Sequence, residues 1–247
     1  MNTLSFLLKG PIAHRGLHDT FHPENSLSAF RAAIVSGFAI ETDVRLTKDD
    51  RIVIFHDANL SRMTGDPRNV SDCTAPELKR LRLNGTDEQI PLLSELLREV
   101  GGKVPLLIEI KDMKGVKASK IARRLAEILE GYEGEFAIQS FQPFYVKAFK
   151  KVRPDIACGL LANVPAKEDF DGSPIWRLKA YFVRNMSFNY TVKPDFLSWC
   201  FSDLPRRKVT RFKGPKLAWT VRSRADELKA REYADNIIFE NYLPQGE

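Results

Sequence analysis

The stretch Gly37-Phe38-Ala39-Ile40-Glu41-Thr42-Asp43 is an apolar run that leads directly into charged residues. The same arrangement recurs in three further stretches: Pro11-Ile12-Ala13-His14-Arg15, Ile52-Val53-Ile54-Phe55-His56-Asp57 and Val104-Pro105-Leu106-Leu107-Ile108-Glu109-Ile110-Lys111. Short apolar runs of this kind are typical of strands that are buried on both faces of a parallel sheet. Charged groups at the ends of buried strands must be neutralised or used. We therefore expect a parallel sheet whose strand ends carry a functional site.

Strand-like and helix-like segments alternate along the chain. Helical periodicity appears in residues 26–36, 92–100, 116–129, 144–152, 205–212 and 225–233. Nine strand candidates are centred on Ile12, Ile40, Ile54, Leu107, Ile138, Ala157, Leu197, Ala218 and Ile238. This alternation predicts an α/β fold, and a length of 247 residues fits one TIM-type (β/α)8 barrel. Nine candidates for eight strands imply that one strand is irregular or lies outside the barrel.

We expect residues 1–247 to form a single barrel domain, because no repeat, low-complexity stretch or Gly/Ser linker divides the chain. Residues 58–102 differ from the rest, since they have few strand signals and many turn formers such as Thr64-Gly65-Asp66-Pro67. This segment is therefore predicted to be a small insertion on the barrel rim.

The net charge of +6 is modest for this length, and much of the excess lies in residues 206–216. We interpret these residues as the solvated face of a helix that begins at Pro205 and ends before Gly214-Pro215. The alternative is attraction of anionic lipid or nucleic acid. No aromatic interleaving or RNA-binding motif supports the nucleic-acid version, so no nucleic-acid partner is expected.

The sequence also predicts the compartment. No apolar run approaches the ~18 residues needed to cross a bilayer, so no stable membrane insertion is expected. Ser5-Phe6-Leu7-Leu8 is too short for a secretory signal. The three cysteines, Cys73, Cys158 and Cys200, have no metal-type spacing and are interpreted as packing residues. Their odd number suits a reducing compartment, and we expect a cytoplasmic location.

The turn Lys48-Asp49-Asp50-Arg51 is too short for a parallel crossover, so the strands on either side are predicted to form a hairpin. With a two-residue tip at Asp49-Asp50, His56 lies directly opposite Asp43, and Glu41 shares their face. Glu109 and Lys111 likewise share one face of a later strand. This alignment depends on the register, since a shift of one residue moves every side chain to the other face.

The first 111 residues contain, in this order, the blocks Ile12-Ala13-His14-Arg15-Gly16, Pro23-Glu24-Asn25-Ser26, Glu41-Thr42-Asp43-Val44, Phe55-His56-Asp57, Leu60-Ser61-Arg62-Met63-Thr64-Gly65, Ile90-Pro91-Leu92-Leu93 and Glu109-Ile110-Lys111. In this ordered combination the chain resembles the glycerophosphodiester phosphodiesterase family. Weaker similarity follows in Ser140-Phe141, Trp219-Thr220-Val221 and Ile237-Ile238-Phe239-Glu240. The resemblance implies hydrolysis of glycerophosphodiesters to sn-glycerol 3-phosphate and an alcohol. It includes a route in which the glycerol 2-hydroxyl attacks to give a cyclic phosphate.

The residue types themselves also support hydrolysis of a phosphodiester. A divalent cation held by Glu41, Asp43 and Glu109 would bind a phosphate oxygen and neutralise developing charge. Ligands that are all carboxylates favour a hard ion, Ca²⁺ or Mg²⁺. His14 and His56 can serve as general acid and base, and the sequence leaves open which is which.

Further residues are candidates for binding the substrate. Arg15 and Lys111 would hold the phosphate. Glu24 lies in a loop that the resemblance places at the site, although it could only shape the start of the following helix. Phe141 and Trp219 could line a glycerol pocket or fill the barrel. His18 is a candidate rim contact, and His22 is interpreted as an exposed loop residue.

Two other function classes remain open on the same barrel. The first is a phospholipase C- or D-like phosphodiesterase acting on lipids or lysophospholipids, which needs an apolar acyl-binding rim. The predicted insertion offers no long amphipathic stretch for such a rim. The second is a non-enzymatic ligand-binding barrel, which would be expected to lack a histidine or a carboxylate of the set. The expected partner is a small-molecule phosphodiester, and the sequence specifies neither its alcohol headgroup, nor the ion, nor the oligomeric state.

Overall fold

The computed structural model describes residues 4–164 and 175–244. Nine strands lie in these ranges: β1 (Ile12–Ala13), β2 (Ala39–Leu46), β3 (Ile52–Ile54), β4 (Leu106–Ile110), β5 (Phe136–Ser140), β6 (Cys158–Ala162), β7 (Phe196–Cys200), β8 (Lys216–Val221) and β9 (Asn236–Phe239). The α-helices of the same ranges are α1 (Leu27–Val35), α2 (Ser61–Thr64), α3 (Ala75–Leu78), α4 (Leu93–Val100), α5 (Ala118–Ile128), α6 (Pro143–Val152), α7 (Ile175–Arg184), α8 (Asn189–Val192), α9 (Arg207–Thr210) and α10 (Arg224–Arg231). None of these helices has the length and apolar character needed to span a membrane.

The sheet closes on itself. In the described residues β1 pairs in parallel with both β2 and β9, and the remaining pairings run β2-β4-β5-β6-β7-β8-β9. This is a ring of eight parallel strands with helices between them, so the predicted TIM barrel is confirmed. The ninth strand candidate, around Ile54, is β3, which lies outside the ring and pairs antiparallel with β2.

Apolar side chains fill the barrel near the N-terminal ends of its strands. Ile12, Leu107, Phe196 and Leu217 are buried there in one cluster. Phe6 and Leu7 of a short N-terminal 3-10 helix, Leu4–Leu8, complete this cluster. Because this end is packed with apolar groups, the charged residues that follow the strands gather at the opposite mouth, where barrel enzymes carry their sites.

The β2–β3 hairpin differs from the prediction by one residue. Val44 pairs with Ile54, and the amide of Phe55 donates to the carbonyl of Asp43. Phe55, not His56, therefore lies opposite Asp43, and the predicted register is wrong. The physical reason is the loop, which has three residues instead of two because Thr47 N–H donates to Arg51 O and Asp50 adopts a left-handed φ of 59°.

The chain between β3 and α4 forms a small layer at the rim. It contains α2, α3 and a short 3-10 helix, Val70–Asp72. Its apolar side chains form a cluster of their own with Val53 and Phe55, made by Leu60, Met63, Val70, Cys73, Leu78, Leu83 and Ile90. Helix α4, by contrast, packs against α1 in the outer helical layer.

The basic segment forms a shorter helix than expected. Residues 205–212 are predicted as a helix, but α9 spans only Arg207–Thr210. Val209 is its buried residue, and Arg207 and Lys208 are exposed. The exposure of these two side chains agrees with the solvated interpretation, which stays a prediction.

Candidate active site

Three carboxylates meet at the C-terminal mouth of the barrel. Glu41 and Asp43 lie in β2, and Glu109 lies in β4 directly beside Asp43 in the parallel register. Glu41 shares the face of Asp43 because strand side chains alternate with a period of two. Each side chain offers an oxygen within 4.8 Å of the others, and all three residues are buried. The sequence prediction that these carboxylates converge is confirmed.

Burial and nearby charges shift the pKa values of the three carboxyl groups in different directions. Burial, reinforced by the charges of Asp43 and Glu109, raises the pKa of Glu41 well above its usual value. Burial likewise raises the pKa of Glu109 to about 7, even though Lys111 opposes the shift. For Asp43 burial acts in the same direction, but the positive charges of Lys111, His56 and Arg15 win and lower its pKa. Without a cation the cluster is therefore only partly ionised at neutral pH.

Two cationic side chains adjoin the carboxylates. Lys111 Nζ lies 2.8 Å from Glu109 Oε1 and 3.5 Å from Asp43 Oδ1, while Arg15 Nε lies 3.3 Å from Asp43 Oδ2. The backbone N–H of Arg15 donates to Glu41 Oε2 at 3.1 Å. Among the described residues, Asp43 Oδ1 is buried without a hydrogen bond, whereas Glu109 Oε1 has the ammonium of Lys111 as its ion-pair partner. A buried carboxylate oxygen without a hydrogen bond, in a cluster of three carboxylates, fits the oxygen ligands that a hard divalent cation takes.

Asn25 orients Asp43 from the loop before α1. Its side-chain Nδ2 donates to Asp43 Oδ2 at 2.8 Å, and its Oδ1 accepts the hydroxyl proton of Thr42 at 2.9 Å. Asn25 is buried and adopts a left-handed φ of 58°, which asparagine tolerates well. The amide thus fixes one oxygen of Asp43 and leaves Oδ1 aimed into the cluster.

His14 follows β1 and has a carboxylate on each side. Its Nδ1 is hydrogen-bonded to Glu240 Oε2, and its Nε2 lies 4.0 Å from Glu41 Oε2. Burial lowers the pKa of His14, although the hydrogen bond with Glu240 opposes this shift. An Nδ1–H that donates to Glu240 leaves Nε2 as the acceptor in the neutral imidazole. The free nitrogen therefore faces the carboxylate cluster.

Glu240 has three basic partners. Besides His14, it approaches His18 Nε2 at 3.7 Å and accepts a hydrogen bond from Arg222 Nε at 2.7 Å. Burial would raise the pKa of Glu240, but the partnership with His14 and His18 holds it well below the usual range. Glu240 therefore stays ionised beside His14. His18 lies at the rim of the site, as expected from the sequence, whereas His22 pairs with Asp19 on the surface.

His56 reaches the site from β3. Its Nδ1 lies 2.6 Å from Asp57 Oδ1, and its carbonyl accepts hydrogen bonds of 2.9 and 2.7 Å from the Arg45 guanidinium. Arg45 also donates to the carbonyl of Asp112 at 2.9 Å, so one side chain joins the chain after β3 to the chain after β4. Burial lowers the pKa of His56 against the attraction of Asp43. His56 therefore lies at the mouth of the barrel, although the predicted hairpin register was wrong.

Glu24 is held between two arginines. Its Oε1 accepts from Arg15 at 2.8 Å and from Arg62 at 2.7 Å, and its Oε2 accepts from Arg62 at 2.9 Å. Arg62 also binds Asp57 Oδ2 through Nε at 2.6 Å. Burial would raise the pKa of Glu24, but these arginines lower it. The structure thus brings Glu24 to the site as the link between Arg15 and the rim layer.

Phe141 and Trp219 stand at the edge of the mouth. Their rings meet edge to face with centroids 5.5 Å apart, and Lys111 Nζ lies 6.0 Å from the Phe141 centroid. Trp219 Nε1 is buried and lacks a hydrogen-bond partner within the described part of the chain. Phe141 is therefore positioned beside Lys111, and Trp219 packs against Phe141.

Sequence reasoning missed four residues that the structure brings to the site: Asn25, Arg45, Arg62 and Glu240. Glu240 carries the same signal that identified Glu41, because it directly follows the apolar run Ile237-Ile238-Phe239. Asn25 and Arg62 stood in matched blocks but had no recognisable partner. Arg45 gave no signal beyond sharing the alternation of Glu41 and Asp43.

Comparisons with known proteins find similar phosphodiesterases. The chain is 30% identical over 239 residues to a glycerophosphodiester phosphodiesterase of Caldanaerobacter subterraneus subsp. tengcongensis, with 92% of each chain covered. It is 34% identical over 137 residues to a lysophospholipase D of Rattus norvegicus, a match covering 50% of this chain and 42% of that one.

The fold comparison extends over nearly the whole chain. A phosphodiesterase of Oleispira antarctica, solved in complex with the product sn-glycerol-3-phosphate, superposes with a TM-score of 0.78. The two chains are 26% identical, and 94% of this chain and 93% of that one are covered. The family model described as the glycerophosphoryl diester phosphodiesterase family matches residues 14–240. The chain therefore belongs to this family of phosphoric diester hydrolases.

Proposed function

We propose that this chain hydrolyses glycerophosphodiesters to sn-glycerol 3-phosphate and an alcohol, with one divalent cation and two histidines. The observation that carries the proposal is the convergence of Glu41, Asp43 and Glu109, buried within 4.8 Å of one another beside Arg15 and Lys111. Buried like charges are costly unless a cation joins them. The product complex of the Oleispira relative supports the substrate class.

The metal would be held by Glu41, Asp43 and Glu109. Their donor set is all oxygen, which favours Ca²⁺ or Mg²⁺ over softer ions. When bound, the ion supplies a positive charge that polarises a phosphate oxygen and offsets the charge that develops during reaction. Asn25 holds one oxygen of Asp43 and keeps the other, Oδ1, turned into the cluster.

His14 and His56 are proposed as the acid–base pair. Burial lowers the pKa of both imidazoles and so favours the neutral form, which the general base needs in order to accept a proton at its free nitrogen. Glu240 at His14 and Asp57 at His56 oppose this shift and so favour the protonated form, which the general acid needs. One histidine takes the proton of the attacking hydroxyl, and the other protonates the oxygen of the departing alcohol. Glu240 and Asp57 each bind an Nδ1 and so fix the orientation of the rings.

The remaining residues are proposed to hold the substrate. Arg15 and Lys111 would attract the phosphate, since both cations lie beside the carboxylate cluster. Glu24 binds Arg15 and so positions its guanidinium. Phe141 and Trp219 offer apolar ring faces and edges against the carbon atoms of the glycerol or of the alcohol.

Two broader expectations belong to the same proposal. We propose one phosphodiesterase domain over residues 1–247 with a rim insertion, supported by a match to one family model over residues 14–240. We also propose a cytoplasmic location, supported by three cysteines that form no disulfide in the described part of the chain. Limited proteolysis and a fluorescent fusion test these two points.

The decisive experiment is hydrolysis of glycerophosphocholine. Purified protein is stripped with a chelator, and choline and sn-glycerol 3-phosphate are measured before and after addition of Ca²⁺ or Mg²⁺. We expect activity only with the cation and release of choline. Full activity after exhaustive chelation would contradict the metal proposal. Release of phosphocholine instead of choline would indicate a phospholipase C-like reaction.

A further inference from the structure

A cavity of about 650 Å³ opens at the same mouth of the barrel. It lies between the C-terminal ends of β5, β6 and β7 on one side and helices α7 and α8 on the other. Its walls include Leu160, Leu161 and Ala162 from β6, and Phe182, Met186 and Phe188 from the facing helical segment. This volume is in the range of about 300–1,000 Å³ that is typical of ligand pockets.

The cavity is continuous with the candidate active site. Asp112 and Phe141 belong to its lining. Asp112 directly follows Lys111, and the ring of Phe141 lies 6.0 Å from Lys111 Nζ. A molecule whose phosphate lies at Lys111 can therefore extend past Phe141 into the cavity.

The chemistry of the walls selects what can enter. The lining is mainly aliphatic and aromatic, and among the described residues it contains no Lys, Arg or His. An anionic or strongly hydrated group would lose its solvation there without gaining a charged partner. A hydrocarbon chain gains by leaving water for such a surface.

Large apolar side chains also surround the opening on the outside. Phe144 on α6, Leu178 and Tyr181 on α7, and Tyr190 on α8 are between 57% and 85% exposed. Isolated exposed apolar residues are ordinary, but a group beside an apolar cavity is typical of a site that accepts an apolar ligand. None of these four residues lies in the predicted rim insertion, residues 58–102, since they belong to α6, α7 and α8.

We propose that this cavity binds the hydrocarbon chain of a single-chain glycerophosphodiester, so that lysophospholipids are substrates. The inference rests on the proposed function and deepens it, because the phosphate of such a substrate would bind Arg15 and Lys111 as it does in the proposed reaction. The hydrocarbon chain of the substrate contributes to binding and takes no part in the reaction. The phosphorus–oxygen bond to the alcohol breaks as an incoming hydroxyl oxygen bonds to phosphorus, and the alcohol leaves with the proton.

A chain-length series tests the proposal. Lysophosphatidylcholines with increasing acyl length, each below its critical micelle concentration, are compared with glycerophosphocholine. Burial of each methylene should raise kcat/KM by about fourfold until the cavity is filled. Binding of alkylphosphocholines of the same lengths, measured by calorimetry, gives a second readout that does not depend on turnover.

Variants locate the effect. Ala162→Trp should fill the cavity, and Phe182→Ser should weaken its wall at a side chain that is already 38% exposed, so that folding is not at risk. Both should lower the preference for the longest chain over glycerophosphocholine by about tenfold or more, which corresponds to about two buried methylenes. Ala225→Trp is the matched control, because Ala225 is exposed on α10 and does not line the cavity.

The outcomes are distinguishable. A flat chain-length series with normal hydrolysis of glycerophosphocholine would overturn the cavity proposal and leave the proposed function intact. A preference that survives unchanged in both cavity variants would also overturn it. Absence of hydrolysis of every diester in the presence of Ca²⁺ and Mg²⁺ would refute the proposed function, while chain-length-dependent binding in that case would still support the cavity.

Discussion

Replacing Glu109 by Gln should stabilise the metal-free protein at alkaline pH. Burial raises the pKa of Glu109 to about 7, against an ordinary value of 4.5. The folded state therefore binds this proton more tightly than the unfolded state does. The free energy of unfolding of the wild type should fall as the pH rises from 4.5 towards 7 and should change little from this source above that range. Gln has nearly the same shape and cannot ionise.

The magnitude follows from the shift. A difference of about 2.5 pH units corresponds to about 3 kcal/mol at pH 8, and to almost nothing below pH 4.5. Glu109 is only 5% exposed, so solvent screening takes little from this value. The attraction of Lys111 is already included, because it opposes the shift. For a chain of this length we expect the melting temperature to rise by about 6 to 12 °C.

Thermal unfolding followed by circular dichroism measures the effect. Wild type, Glu109→Gln and the exposed control Glu133→Gln are compared in chelator at pH 4.5 and at pH 8. Added Ca²⁺ or Mg²⁺ should then reverse the order at pH 8, because a bound ion stabilises the wild type and the variant lacks one ligand. A Glu109→Gln protein that melts below the wild type in chelator at pH 8 would refute the reasoning.

Three further predictions concern the chemistry. His14→Ala or His56→Ala should lower the rate on glycerophosphocholine by about 10² to 10⁴, while calorimetry shows unchanged cation affinity. Glu41→Gln and Asp43→Asn should instead lose both the activity and the cation affinity. Near wild-type rates in both histidine variants would disprove the acid–base pair. The variant that lacks the general acid should be far more active on an aryl phosphodiester than on glycerophosphocholine, since an aryl alkoxide needs little protonation, and equal losses on both diesters in both variants would contradict separate roles. Glu240→Gln should slow turnover by at least about tenfold, and adding it to His14→Ala should cost nothing more; additive losses would show that Glu240 acts elsewhere.

The sequence predicted the barrel and the carboxylate cluster because both depend on local patterns. Glu41, Asp43 and Glu109 each sit in an apolar run, and parallel strands necessarily gather such residues at one mouth. The hairpin register failed because loops of two and three residues are both compatible with Lys48-Asp49-Asp50-Arg51, and the left-handed Asp50 decides between them.

Other features had no local signal. Glu24 and Arg62 are 38 positions apart, and their ion pair exists only because the rim layer folds back over the mouth. The residues that line the apolar cavity come from several segments between Asp112 and Trp199, so its walls cannot be recognised from any one of them. Long-range packing decides such contacts, and periodicity within one element does not report it.

The position of β3 outside the ring has a consequence for partial unfolding. The carboxylates belong to ring strands with neighbours on both sides, whereas His56 is carried by a three-residue strand whose other support is the rim layer. Segments with fewer partners open at lower free energy than the global transition. Opening of the rim layer would release His56 and leave the carboxylates in place. Amide hydrogen exchange at Phe55 should then be faster than at Ile108, and catalysis should be lost on heating before the capacity to bind a cation.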